Sequence, residues 1–182
     1  MKTACVLLAD GFEEVEALTP IDYLRRAGIE VRVVGVTGRE VAGSHDIRVT
    51  AEVRLSDITG DFDAVVVPGG ARGAANLAAS AGAVALIKRQ FAAGRLVAAI
   101  CAAPAVVLHG ACGILGGRRF TGYPGTEADV TGAVFVAERV VQDGNIITSR
   151  AAGCAGEFSR AIVARLVGEE KAAELVEKVL LP

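Results

Sequence analysis

Three short apolar runs, Thr3 to Ala9, Asp63 to Val67 and Leu96 to Ile100, constrain the fold of this chain more than any other feature. Past its first residue, each is apolar at consecutive positions and is too short for a buried helix. Successive strand residues point to opposite faces, so a strand apolar at both parities must be covered on both sides. Glu30 to Val36 adds a fourth such segment, rich in Val at both parities. Helix-length segments lie between these strands. That alternation predicts an α/β fold, a mainly parallel sheet with helices on both faces. Sheets of this kind bind ligands beyond the carboxyl ends of their strands. Three strand ends therefore matter most: Asp10-Gly11, Pro68-Gly69-Gly70 and Ile100-Cys101-Ala102.

The segments between the strands follow from turn and cap signals. Glu13 to Ala27 reads as a helix stopped by Gly28. Pro20 lies inside it, lacks a backbone N–H, and predicts a kink or a restart capped by Thr19. Ala74 to Gly94 reads as helical with an interruption near Ser80-Ala81-Gly82, and a further helix starts at about Ala102 to Pro104 and runs to His109. Ile47 to Leu55 alternates and predicts an edge strand or an antiparallel ribbon. Val134 to Val141 and Asn145 to Ser149 flank the hairpin turn Gln142-Asp143-Gly144. Phe158 to Val167 and Glu169 to Leu180 are closing helices parted by Gly168. With no linker or repeat in 182 residues, residues 1–182 read as one domain.

Composition excludes several classes. The chain has 19 Lys and Arg against 21 Asp and Glu, a balance that argues against binding nucleic acid by phosphate neutralisation. A hydrophobic fraction of 52% is far from the composition of a disordered chain. No apolar stretch reaches the ~18 residues needed to span a bilayer. The N-terminus enters a strand directly and lacks the pattern of a signal peptide, so a cytoplasmic location is expected. Four scattered cysteines do not form a disulfide framework.

Cys101 sits where a buried strand gives way to a helix. A residue at that junction is often held in a tight elbow with its side chain above the sheet. The helix field and free N–H groups there favour thiolate, lowering the pKa from ~8.5. From residue type alone, a buried structural cysteine is the competing reading. Gly69 and Gly70 allow close backbone approach, and N–H groups of Gly70 and Ala102 facing one pocket would make an oxyanion hole; an ordinary Gly-rich turn is the alternative. Glu13 and Glu16 share a helix face at i and i+3, whereas Glu14 points elsewhere. Either one carboxylate turns into the cleft beside Cys101, or all three form a solvated acidic first turn. Cys5 lies mid-strand and reads as core. His109 and Cys112 lack a second ligand pair nearby, so no metal site is read there. His109 is also ~12 Å along the helix from Cys101, too far for catalysis. His45, in Gly-Ser-His-Asp, reads as a surface or dimer-contact residue.

Three segments then carry a resemblance. Asp10-Gly11-Phe12-Glu13-Glu14-Val15-Glu16, Val67-Pro68-Gly69-Gly70-Ala71-Arg72-Gly73-Ala74-Ala75-Asn76-Leu77 and Ala98-Ala99-Ile100-Cys101-Ala102-Ala103-Pro104 resemble the three signatures of the ThiJ/PfpI superfamily, in its DJ-one-like branch. The match continues through Asp143 to Arg150 and Glu157-Phe158, covering nearly the whole chain. The resemblance implies a flavodoxin-like three-layer sandwich with an added hairpin, and a homodimer. It implies that Cys101 is the reactive cysteine, Glu16 its acidic partner and Gly70 the oxyanion glycine. It also implies that the Cys154 loop borders the active-site mouth, with Cys154 a second, weaker thiol, and that Arg139 and Glu157 form a structural charge pair. Two positions depart from the family. Tyr123 stands where a His often lies near the nucleophile, and Ala102 stands where the protease-like branch has a His after its cysteine. Both count against a Cys-His peptidase or amidase.

The activity implied is a glyoxalase III-like or deglycase reaction on small 2-oxoaldehydes or glycated protein, needing no cofactor. A different class of reading is a redox-sensing stress protein or chaperone, with Cys101 oxidised to a sulfinate held by Glu16 and no turnover.

Overall fold

The computed structural model describes residues 1–182. Its strands are β1 (Thr3–Leu8), β2 (Glu30–Gly35), β3 (Glu40–Ala42), β4 (Arg48–Thr50), β5 (Val53–Arg54), β6 (Ala64–Val67), β7 (Leu96–Ile100), β8 (Arg119–Phe120), β9 (Val134–Phe135), β10 (Val140–Asp143) and β11 (Ile146–Ser149). Its α-helices are α1 (Glu14–Arg26), α2 (Ala71–Ala79), α3 (Ala81–Ala92), α4 (Ala155–Val167) and α5 (Glu169–Val179). A wide helix, Pro104–Ala111, follows β7.

Seven strands form the central sheet in the order β10-β11-β7-β6-β1-β2-β5. All neighbours are parallel except β10 and β11. The doubly apolar strands explain this architecture directly. Ala4, Val6 and Leu8 of β1 enter one core with Ala17, Ile21 and Leu24 of α1 and Phe158 and Ile162 of α4. Cys5 and Leu7 enter the other, with Leu77 of α2, Ile87 of α3 and Leu108 of the wide helix. The three-layer sandwich is therefore the expected one. Chain order reverses at β1, whose neighbours are β2 and β6. Such a switch point opens a crevice at the carboxyl ends of the strands.

Several local expectations need correction. Helix α1 runs unbroken through Pro20. The ring removes only the bond that residue 20 would donate to the Glu16 carbonyl, while Ala17, Pro20, Ile21 and Leu24 stay buried and hold the helix to the sheet. The break between α2 and α3 falls at Ser80 as expected, with its hydroxyl capping α3 by accepting the Ala83 N–H at 3.3 Å. Ile47 to Leu55 divides in two. Arg48–Thr50 pairs antiparallel with β3, and Val53–Arg54 adds a parallel edge to β2. Val134 to Val141 also divides, because Val134–Phe135 pairs with β8 and only Val140 onward joins the hairpin. No helix is long and apolar enough to cross a membrane.

Candidate active site

The ends of β1, β6 and β7 converge, and each contributes a different group. Cys101 follows β7 with φ at +66°, a left-handed conformation that costs a side-chain-bearing residue ~1–2 kcal/mol. Neighbours pin both sides of this elbow: the Cys101 N–H donates to the Ser149 carbonyl at 3.0 Å, and its carbonyl accepts the Tyr123 N–H at 2.8 Å. The thiol is half-buried, whereas Cys5, Cys112 and Cys154 are buried.

Glu16 reaches the same place from α1. It is 1% exposed, and its Oε2 accepts the Gly69 N–H at 3.0 Å. A Cβ on Gly69 would lie 2.5 Å from the Cys101 Cβ and 2.6 Å from Glu16 Oε2, so glycine alone leaves room for the two side chains to meet. The Glu16 carboxyl and the thiol lie close enough to shift each other's protons, and the Ala152 N–H favours the carboxylate. N–H groups of Gly70 and Ala102 face the sulfur. Gly70 holds its N–H there with φ at +82°, packed so closely that a Cβ would come 2.3 Å from the Gly11 carbonyl.

Electrostatics follow from burial. Loss of water raises the Glu16 carboxyl to about 7; the Glu13 charge adds to this, and hydrogen bonds to Cys101, Gly69 and Ala152 oppose it. Burial raises the Cys101 thiol to about 12, aided by the negative charge of Glu16 and opposed by the Gly70 and Ala102 N–H groups. The helix start alone therefore does not lower this thiol as the sequence suggested. The two acids share one cleft and titrate together. The first proton leaves the pair near neutrality. Removing the second would place two negative charges side by side.

The remaining expected residues separate. The Tyr123 backbone is tied to Cys101, but the residue is 50% exposed. Cys154 is 5% exposed, so its loop borders Glu16 through Ala152 while the thiol itself is covered. Arg139 and Glu157 do pair, through Nε to Oε1 at 2.6 Å and Nη2 to Oε2 at 3.1 Å. Neither imidazole bonds Cys101: His45 lies against Glu14, and His109 Nε2 accepts the Thr131 N–H at 3.4 Å. Glu14 is not solvated; it is 4% exposed. Burial pushes its carboxyl up, but hydrogen bonds from His45 and Ser44 outweigh this and hold it at about 2. The sequence reading missed Ala152, because a backbone donor leaves no signature in residue type.

A flavodoxin-like sheet with a cysteine elbow at its switch point and a buried carboxyl beside it defines a class of cysteine-centred α/β proteins. The comparisons with known proteins narrow it. Residues 2–165 match the model of the DJ-1/PfpI family. Protein dj-1beta of Drosophila melanogaster is 40% identical, over 99% of this chain and 97% of its own. A protein named deglycase from Pyrococcus abyssi is 36% identical, over 81% of this chain and 89% of its own. The structure of oxidized DJ-1 from Toxoplasma gondii superimposes with a TM-score of 0.96 at 34% identity, covering 99% of this chain and 98% of that one. This chain belongs to the DJ-1/PfpI family.

Proposed function

We propose that the protein is a cofactor-independent, cysteine-dependent glyoxalase III-like enzyme or deglycase, acting on small 2-oxoaldehydes and their protein adducts. The observation that carries this reading is the buried Glu16 carboxyl beside the half-buried Cys101 thiol, with N–H groups of Gly70 and Ala102 facing the sulfur. The deglycase name of the Pyrococcus relative supports the same class.

In this mechanism the Glu16 carboxylate takes the thiol proton as the sulfur attacks, so the thiolate forms only as it is consumed. The sulfur adds to the aldehyde carbon, forming an S–C bond and an oxyanion. The Gly70 and Ala102 N–H groups stabilise that oxyanion, and Glu16 supplies its proton. The Glu16 carboxylate then takes the proton from the aldehyde carbon and returns it to the adjacent carbon. The product is a 2-hydroxyacyl thioester. Water cleaves it to the 2-hydroxy acid and regenerates the thiol. Methylglyoxal would give lactate. The Gly69 N–H keeps Glu16 aimed at the sulfur throughout.

The test is methylglyoxal loss together with lactate formation. Cys101→Ser should abolish both, and Glu16→Gln should lower the rate about 100-fold or more, as removal of a general acid–base does. Wild-type protein that makes no more lactate than Cys101→Ser would refute the reading.

A redox-sensing role is the second reading, favoured by the contrast between one half-buried thiol and three buried ones. Graded peroxide should then add two oxygens to Cys101 first. Equal oxidation of all four cysteines would remove its special status.

A second copy of the chain is the partner we propose. Val15 and Leu18 on α1 and Ile47 before β4 are 49%, 38% and 52% exposed, and a homodimer would cover them.

A further inference from the structure

Next to the cysteine site lies a cluster of ionisable groups that the proposed chemistry leaves unused. His45 stands in the turn between β3 and β4. Glu14, at the head of α1, holds that turn: its Oε1 accepts the His45 backbone N–H at 2.6 Å, and its Oε2 lies 2.8 Å from His45 Nδ1 and accepts the Ser44 hydroxyl at 3.1 Å. The carboxylate is covered by Gly43, where a Cβ would come within 2.2 Å of Oε1. Glu13 completes the group, since one side-chain atom each from Glu13, Glu14 and His45 lies within 4.8 Å of the others. Glu13 also caps α1, its Oε2 accepting the Glu16 N–H at 2.7 Å. The cluster thus reaches the head of α1, where the Glu13 charge acts on the Glu16 carboxyl beside Cys101.

We propose that His45 is a positioning residue of the active site, acting through Glu13 and Glu14 on the proton shared by Glu16 and Cys101. This rests on the Glu16–Cys101 pairing proposed above. The imidazole does not touch the thiol. Its hydrogen bond to Glu14 and the charge of Glu14 raise its proton affinity, with Glu13 and Asp46 adding to them. As a cation it cancels part of the negative charge at the head of α1. The groups facing His45 are Glu14, Glu13 and Asp46. Those facing Glu16 are Glu13 from α1, Cys101 from the end of β7, and the N–H groups of Gly69 and Ala152. Loss of the cation leaves Glu13 and Glu14 uncompensated, so Glu16 keeps its proton to higher pH.

The test is the alkylation rate of Cys101 by iodoacetamide, read on its own peptide by mass spectrometry between roughly pH 5 and 9. His45→Gln should move the midpoint up by about 0.3 pH unit, about twofold in rate below it. His45→Arg, a permanent cation, should leave the midpoint at or below that of wild type. Equal midpoints in wild type and His45→Gln would overturn the proposal, as would an equal upward shift in His45→Arg. Glu16→Gln, measured in parallel, should abolish the midpoint; if its profile matches wild type, the Glu16–Cys101 pairing itself is at fault. A second measurement leaves His45 in place. Coupling is reciprocal, so Glu16→Gln should lower the His45 titration midpoint seen by NMR, with His109 as internal reference. A His45 midpoint that does not move overturns the proposal.

Discussion

At the residue scale, Gly69 leaves no room for a side chain between the thiol and the carboxyl. A methyl group there would strike Cys101, Glu16 Oε2 and the Ile100 carbonyl, the last at 2.9 Å. Gly69→Ala should therefore separate thiol from carboxyl and cut turnover about 100-fold, since misplacement by ~1 Å costs that much. Lactate formation checks this. Glu16 also carries a stability signature. Its folded pKa, about 7, lies above the ordinary ~4.3, so between those values the folded state binds the extra proton. The stability it contributes is full below ~4.3 and is lost as pH rises toward 7. Glu16→Gln should flatten that fall in urea titrations across the same window, and an unchanged slope would contradict the burial argument. Glu14 has the opposite sign. Held at about 2, it contributes stability that is present above ~4.3 and lost as pH falls toward 2.

At the scale of elements, helix starts decide where side chains point. Ser80 ends α2 with its backbone N–H, which donates to the Leu77 carbonyl at 3.1 Å, and opens α3 with its hydroxyl. Ser80→Ala should cost about 1 kcal/mol, seen as a lower midpoint of thermal unfolding, with Cys101 alkylation unchanged. Helix α1 opens differently, with the Glu13 side chain as its own cap. That cap orients the first turn so that Glu16 enters the cleft while Glu14 turns toward the β3–β4 loop. Spacing put Glu13 and Glu16 on one helix face, but Glu13 stands outside the helix as its extended cap. Spacing also did not reveal that Glu14 is buried, because its partners His45 and Ser44 lie 30 or so residues away in the chain.

At the scale of the whole molecule, the exposed apolar residues of α1 and the ribbon set the expected assembly. Sedimentation should give twice the chain mass, and Leu18→Arg should shift it toward the single chain. A wild-type protein that sediments as one chain at micromolar concentration would count against the homodimer. The strained elbow also ties local to global structure. Its left-handed backbone persists because β11 and the Tyr123 loop bond it from both sides, so loosening either should relax Cys101.

The residue order by itself determined the layered architecture and the position of the site. Strands apolar at both parities admit only a sheet covered on two faces, and that sheet has its crevice where β1, β6 and β7 end. Gly70 and Cys101 were legible because each stands just past a strand, whereas Glu16, inside α1, was singled out by the family resemblance. Only the tertiary structure decided which carboxyl faces the sulfur, which thiols are covered, that α1 passes through Pro20, and how the acids share their protons. Those outcomes depend on burial and on contacts between segments distant in the chain. Desolvation and hydrogen bonding act through space, and local sequence does not carry them.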